Sequence, residues 1–236
     1  MGIKHSISWF EWKPSQRGKS SNNYLHKISP KYNHNWTELH YAASHGSLSK
    51  LKEVLNSQGT SDINRKDYYG KTPLYWAAYK GHAECIEELL DNGAEVNSQC
   101  KHGATPLHAV SGLYPHCTLL LIKKGADVDK EDKWGVTPMY IAACNGQVEC
   151  INLLVSAGAN FTYRNRKTGF LPKQLTEHKE YLDWLKNQSQ TPRPLKELCR
   201  KVIRKNLGHE HLDAVVTFDV PSSLHAYILL EELKIP

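Results

Sequence analysis

Gly70-Lys71-Thr72-Pro73-Leu74-Tyr75, Gly103-Ala104-Thr105-Pro106-Leu107-His108 and Gly135-Val136-Thr137-Pro138-Met139-Tyr140 are three settings of one hexapeptide. Their glycines lie 33 and 32 residues apart, and Gly169 follows after a further 34. A weaker copy, Thr37-Glu38-Leu39-His40, stands ahead of them. Each of the three strong copies runs on to a second apolar cluster: Cys85-Ile86 with Leu89-Leu90, Cys117 with Leu120-Leu121, and Cys150-Ile151 with Leu153-Leu154. Then come Gly93-Ala94-Glu95-Val96-Asn97, Gly125-Ala126-Asp127-Val128-Asp129 and Gly158-Ala159-Asn160. A period of this length marks a supersecondary unit that cannot bury its apolar face alone and does so by stacking on its neighbours.

The unit reads as helix, tight turn, helix and hairpin-like loop. Each threonine can cap a first helix, and proline suits the first turn because its missing N–H would go unpaired there. Ala42-Ala43, Ala77-Ala78 and Ala142-Ala143 let neighbouring helices approach closely. Gly46, Gly81 and Gly146 fit the turn between helices, and Gly93, Gly125 and Gly158 fit helix ends that need positive φ. The third unit departs from the pattern: it has Ala109-Val110-Ser111 in place of paired alanines, its turn is one residue short, and Pro115 is expected to delay the second helix. Units are expected at about 36–66, 67–99, 100–131 and 132–164, with a degenerate closing unit at 165–188, where Tyr181, Leu182, Trp184 and Leu185 can cover the end of the stack.

The chain has 236 residues and a formal net charge of +6, which invites a nucleic-acid reading. The charge is unevenly placed. Residues 1–35 carry six basic side chains against Glu11, residues 36–192 carry 17 of each sign, and residues 193–236 carry seven basic and six acidic. The repeats are neutral and the excess sits in a basic tail, so no nucleic-acid partner is expected. The tail places Trp9, Phe10 and Trp12 among Ser, Asn and Lys, a composition expected to be flexible, with the aromatics available to dock on the first repeat or a partner. Met1-Gly2-Ile3-Lys4-His5-Ser6 fits a short myristoylation pattern at Gly2, the one route by which a membrane partner is expected. No secretory leader is read at the start, and no apolar run reaches the 18–20 or so residues of a membrane span. Six cysteines show neither paired spacing nor zinc spacing with histidine. Three of them recur with the repeat, which favours reduced core thiols and a cytoplasmic, secondarily nuclear, location.

Thr191-Pro192-Arg193-Pro194 breaks the pattern; residues 189–194 read as a stiff joint. Beyond it, Leu195, Cys199, Val202 and Ile203 fall on one helical face, opposite Lys196, Arg200, Lys201, Arg204 and Lys205. Gly208 ends that helix, Leu212, Val215 and Val216 form a second apolar stretch, and a last helix carries Leu224, Tyr227 and Ile228. Three short helices in about forty residues make a marginal core, so a partner is expected to complete it.

Period and Thr-Pro-Leu-His motif together resemble the ankyrin repeat. Residues 194–236 are similar to a SOCS box, because Pro194-Leu195-x-x-x-Cys199-x-x-x-Ile203 matches the Elongin-BC-binding signature. Phe218-Asp219-Val220-Pro221-x-x-Leu224-x-x-Tyr227 partly matches a cullin-5 box, whose usual core is Leu-Pro-Φ-Pro; Phe218 replaces the Leu and Asp219 the first Pro. The chain thus resembles the ankyrin-repeat and SOCS-box family. The resemblance implies an all-α solenoid followed by a three-helix box. It also implies a non-catalytic adaptor that brings a target to a cullin-5 RING-type ubiquitin ligase. Leu195, Cys199, Val202 and Ile203 would meet Elongin C, which acts with Elongin B. Phe218, Val220, Pro221, Leu224 and Tyr227 would meet cullin-5, which carries a RING subunit. The alternative is an ankyrin scaffold or inhibitor that binds a partner without recruiting a ligase.

In such repeats the loop tips and the open side of the first helices form the binding face, loops on a rigid scaffold being where function concentrates. Here those positions are Tyr68, Tyr69, Lys71, Tyr79, Lys80, Lys101, His102, Tyr114, Lys133 and Trp134, with Arg166 and Lys167 in the closing unit. Exposed Tyr and Trp are interface-prone, and interleaved bases favour a target segment with an acidic group beside an apolar anchor. His40 and His108 could be catalytic or metal ligands in principle. Tyr75 and Tyr140 hold the same slot, so a structural histidine bonded to neighbouring backbone is the better reading. No nucleophile triad, phosphate loop or carboxylate pair is present, and neither metal nor cofactor is expected.

Overall fold

The computed structural model describes residues 35–160, 167–169, 171, 182–183 and 186–187. They belong to the unit His34–Pro236; the other unit, Met1–Asn33, lies outside the described residues. Gly2, Trp9, Phe10, Trp12, Arg166, Tyr181, Trp184, Leu185 and the whole of 194–236 also lie outside them.

The described chain forms helix pairs and, among the described residues, no strand. α1 (Glu38–His45) pairs with α2 (Leu48–Gln58), α3 (Pro73–Lys80) with α4 (Ala83–Asp91), α5 (Pro106–Val110) with α6 (Pro115–Lys123), and α7 (Pro138–Cys144) with α8 (Val148–Ser156). The odd-numbered helices pack on one another in one row and the even-numbered helices in a second, giving a two-layer, all-α repeat solenoid among the described residues.

Capping sets the start of every first helix. Thr37, Thr72, Thr105 and Thr137 are all extended at the N-cap. The Thr72 and Thr137 hydroxyls accept from the amides of Tyr75 and Tyr140 at 3.3 and 3.2 Å. Such a cap is worth about 1 kcal/mol. Proline opens α3, α5 and α7, where it forfeits no helical bond. The alanine pairs at 42–43, 77–78 and 142–143 are buried between rows, and Leu39, Leu74, Leu107 and Met139 seal the first-helix row. Leu51, Ile86, Leu89, Leu121, Ile122, Ile151 and Leu154 do the same for the second. Burying one such side chain contributes about 1.5–3 kcal/mol, so one continuous core holds the repeats together. Cys85, Cys117 and Cys150 are free core thiols, and burial pushes the last two up to about 11.

The third unit is short as its sequence says: α5 has five residues where α3 has eight. Pro115 does not delay the second helix, contrary to the sequence expectation. It is the first residue of α6, a position whose N–H has no partner in any helix. The ring of Tyr114, just before it, lies against Gly81 in the preceding unit.

Gly81 ends α3 at φ 77, and a Cβ there would meet the Tyr114 ring at 2.5 Å. Gly81→Ala is expected to destabilise the stack by about 2 kcal/mol, from left-handed backbone cost plus displacement of Tyr114. Urea unfolding of the full chain checks this through the midpoint; an unchanged midpoint contradicts the assigned contact.

Candidate functional site

The hairpin tips stand in a row because each is built on its own turn and then bonded to the next. Asp67 Oδ1 accepts the amides of Tyr69 and Lys71, both at 2.8 Å, and Asp132 Oδ1 accepts those of Trp134 and Val136, also both at 2.8 Å. Cys100 replaces the aspartate in the tip between them. There the Cys100 amide donates to Ala104 O at 3.0 Å and Gln99 Nε2 to Gly103 O at 2.7 Å. The Lys101 amide donates to Tyr69 O and the Lys133 amide to His102 O, each at 2.9 Å. Lys66 Nζ donates to Gln99 O at 3.1 Å and Lys167 Nζ to Lys133 O at 2.6 Å. The tips sit so close that a Cβ on Gly70 would come 2.8 Å from the Lys101 nitrogen.

This ladder presents aromatic and cationic side chains to solvent. Tyr68 is 61% exposed and Trp134 56%. The Lys101 amine lies 4.3 Å from the Tyr68 ring centroid, and the His102 ring stacks on Trp134 at 5.0 Å. Tyr68 and Tyr69 meet edge to face at 5.1 Å. Lys101, His102 and Lys133 are exposed, as is Lys80, whose amine lies 5.5 Å from the Tyr79 ring. A shallow open groove of about 550 Å³ runs along the tips past Asp67, Cys100, Lys101, Asp132 and Lys133. Oδ1 of each of these two aspartates is already occupied by backbone, and Glu131 lines the groove as well, so it carries both signs of charge.

Four of the sequence-predicted residues sit otherwise than expected, Tyr69 among them, which is half-buried beside exposed Tyr68. Lys71 is buried, not exposed: its amine lies 4.5 Å from the Trp76 ring centroid. Burial holds that amine below the ordinary lysine value, against the pull of Asp67. Tyr114 is half-buried in the turn between α5 and α6, at the opposite end of α5 from the tip, and packs on the core. Tyr79 is half-buried at the end of α3, edge-on to Trp76 at 5.9 Å.

The sequence reading missed an aromatic cluster on the first-helix side. Asp67 Oδ2 accepts from Trp76 Nε1 at 3.0 Å and Trp36 Nε1 at 3.3 Å, and the two indoles meet edge to face at 5.0 Å. Trp36 also meets Tyr41, which is 43% exposed, at 4.9 Å. Leu113 is exposed as well. The signal for Trp76 was present: it falls outside the apolar stripe that Leu74, Ala77 and Ala78 give to the core.

The motif histidines are clasps. The Thr37 amide donates to His40 Nδ1 at 3.1 Å, which leaves Nε2 as the donor to Lys71 O in the next unit, also at 3.1 Å. His108 repeats this with the Thr105 amide at 3.2 Å and Val136 O at 3.1 Å. Both ring nitrogens are thus committed. Among the described residues no cluster of three His, Cys, Asp or Glu is placed to hold a metal ion.

A family model for ankyrin repeats, in three copies, matches residues 17–100 and 93–165, and one for the SOCS box matches 191–229. The chain belongs to the ankyrin-repeat and SOCS-box family. It is 36% identical to mouse (Mus musculus) ankyrin repeat and SOCS box protein 9 over 158 residues, which are 67% of this chain and 54% of that one. Against ankyrin repeat and SOCS box protein 11 of Danio rerio it is 33% identical over 158 residues, 67% of this chain and 53% of the other. A shorter match, 48% over 59 residues, is to ankyrin repeat domain-containing protein 29 of Danio rerio, covering 25% and 20% of the two chains. The chain spans about half the length of the SOCS-box relatives it matches. The family is one of adaptors related to ubiquitin ligases, and a SOCS box is in general a module for Elongin BC and a cullin. No helix among the described residues is long and apolar enough to cross a membrane.

Burial lowers both clasp histidines below the ordinary 6.5. Protonation would also turn Nδ1 into a donor facing the threonine amide. A folded pKa below the unfolded one means the unfolded state binds more protons. The clasps therefore contribute fully above about pH 6.5, and their contribution is lost as the pH falls below it. The thermal midpoint should drop between about pH 7.5 and 5.5, and His40→Gln with His108→Gln should flatten that slope. An equal slope in the double variant contradicts the assignment.

Proposed function

We propose that this chain is the substrate-recognition adaptor of an Elongin BC–cullin-5 RING-type ubiquitin ligase. The observation that carries the reading is the order of modules: stacked ankyrin repeats, then a SOCS box whose matched span, 191–229, contains Leu195, Cys199 and Ile203 at the Elongin-binding spacing. In this reading Leu195, Cys199, Val202 and Ile203 seat the box on Elongin C. Phe218, Val220, Pro221, Leu224 and Tyr227 face cullin-5. Asp219, where the cullin-5 pattern has proline, is the position at which cullin strength is tuned. The complex works in the cytoplasm.

The chain itself supplies no chemistry. It raises the local concentration of target lysines beside a ubiquitin-charged enzyme held by the other subunits, and proximity supplies the rate. The target end is the tip row. Exposed Tyr68 and Trp134 offer apolar contact, and Lys101 and Lys133 offer charge, which suits an acidic segment with an apolar anchor.

Leu195→Ala with Cys199→Ala is expected to abolish co-purification with Elongin B and C while leaving the helical circular dichroism of the repeats unchanged. Elongin binding that survives the double substitution would sink the reading and leave a scaffold without a ligase.

A further inference from the structure

Among the described residues, Lys71 Nζ is the one enclosed amine with no hydrogen-bond partner. The residue is 2% exposed, and its amine lies 4.9, 4.5 and 5.6 Å from the ring centroids of Tyr75, Trp76 and Tyr79. Asp67 is near enough to act on it through space but does not hydrogen-bond it. The Asp67 oxygens take two backbone amides and two indoles. Cation–π contact offsets only part of what it costs to bury an ammonium without an acceptor.

The stack does not need this amine. The same place is held by Trp36, Ala104 and Val136 in the other units. Around Val136 the backbone frame is identical in kind: its amide goes to Asp132 Oδ1 at 2.8 Å, and its carbonyl accepts from His108 Nε2 at 3.1 Å. Around Lys71 the matching bonds are 2.8 Å to Asp67 Oδ1 and 3.1 Å from His40 Nε2. The backbone frame is thus the same with an apolar side chain in this position, and it does not call for the amine.

We propose that the α3 face around Lys71 is an anchor site for one acidic side chain, an Asp or Glu of a bound protein segment, whose carboxylate comes to Lys71 Nζ between Trp76 and Tyr79. Half-buried Tyr79 borders the site, and exposed Lys80, whose amine lies 5.5 Å from the same ring, adds a second positive charge beside it. The aromatic walls exclude water and strengthen the charge-assisted bond. This rests on the ankyrin face being the target-binding end, and it adds one fixed acidic position to the general charge preference that Lys101 and Lys133 give the tip row.

The test is selection of a displayed random-peptide library on the full wild-type chain, Lys71→Met and Lys71→Arg. Wild type and Lys71→Arg should enrich peptides with Asp or Glu at one fixed position beside an apolar residue. Lys71→Met should lose that preference and bind the best wild-type peptide about tenfold or more weakly. Changing the peptide's acid to its amide should cost wild type a similar factor and Lys71→Met little. Lys71→Met should also melt at the wild-type temperature or above, since an unpaired buried charge is removed. An acidic preference equal in wild type and Lys71→Met, no fixed acid among the peptides, no enrichment at all, or a destabilised Lys71→Met each overturns the proposal. Failure to co-purify with Elongin B and C would strike the ligase reading and leave this result standing, so the two are separable.

Discussion

The amide of Lys101 donates to the carbonyl of Tyr69, and one unit later the amide of Lys133 donates to the carbonyl of His102. These bonds, with the close packing of the alanine pairs beneath them, fix the distance between units. If the units could not approach this closely, the first-helix row would expose its apolar side and no single pair of helices could hold it. Everything else hangs on that spacing. The clasp histidines reach the next unit's carbonyl only at this pitch, and the exposed rings line up only because the tips do.

Stability and binding are therefore divided between the two sides of the same short segments. Asp67 shows the division within one residue: Oδ1 organises its own tip and Oδ2 gathers Trp36 and Trp76 onto the open side of α3. The core beneath is regular and apolar. The face above varies, with bulky aromatics on the first two units, Ala109 and Gly112 on the third, and Ile141 and Asn145 on the fourth. A repeated frame carrying an unrepeated face is how a solenoid binds one partner specifically.

Much of this was legible in the sequence because it is local. Thr-Pro at a fixed interval states a cap and a first turn, the alanine pairs state close helix approach, and the recurring cysteines state core. Lys71, Tyr114 and Pro115 were not read correctly, and the reasons differ. Lys71 sits at a tip, where lysine is normally solvated; its amine instead lies against Trp76 and Tyr79, five and eight residues on. Tyr114 looks like a surface ring from its own turn, since its contact, Gly81, is one unit away. Pro115 suggests a delayed helix from sequence, yet proline at a helix start costs nothing and α6 begins on it. Trp76 stands off the apolar stripe, but its pairing with Trp36 through Asp67 joins residues 31 and 9 positions apart, which no local pattern shows. The box residues from Leu195 to Tyr227 rest on spacing and on the family match alone.

The central claim is that one chain carries two separate binding ends, a tip row for a target and a box for Elongin BC. Hydrogen–deuterium exchange of the full chain, with and without Elongin B and C, tests it directly. The account predicts new protection confined to about residues 194–228, with exchange at Tyr68-Tyr69, Lys101-His102 and Lys133-Trp134 unchanged. Protection spread over the tips, or none in the box, would contradict it.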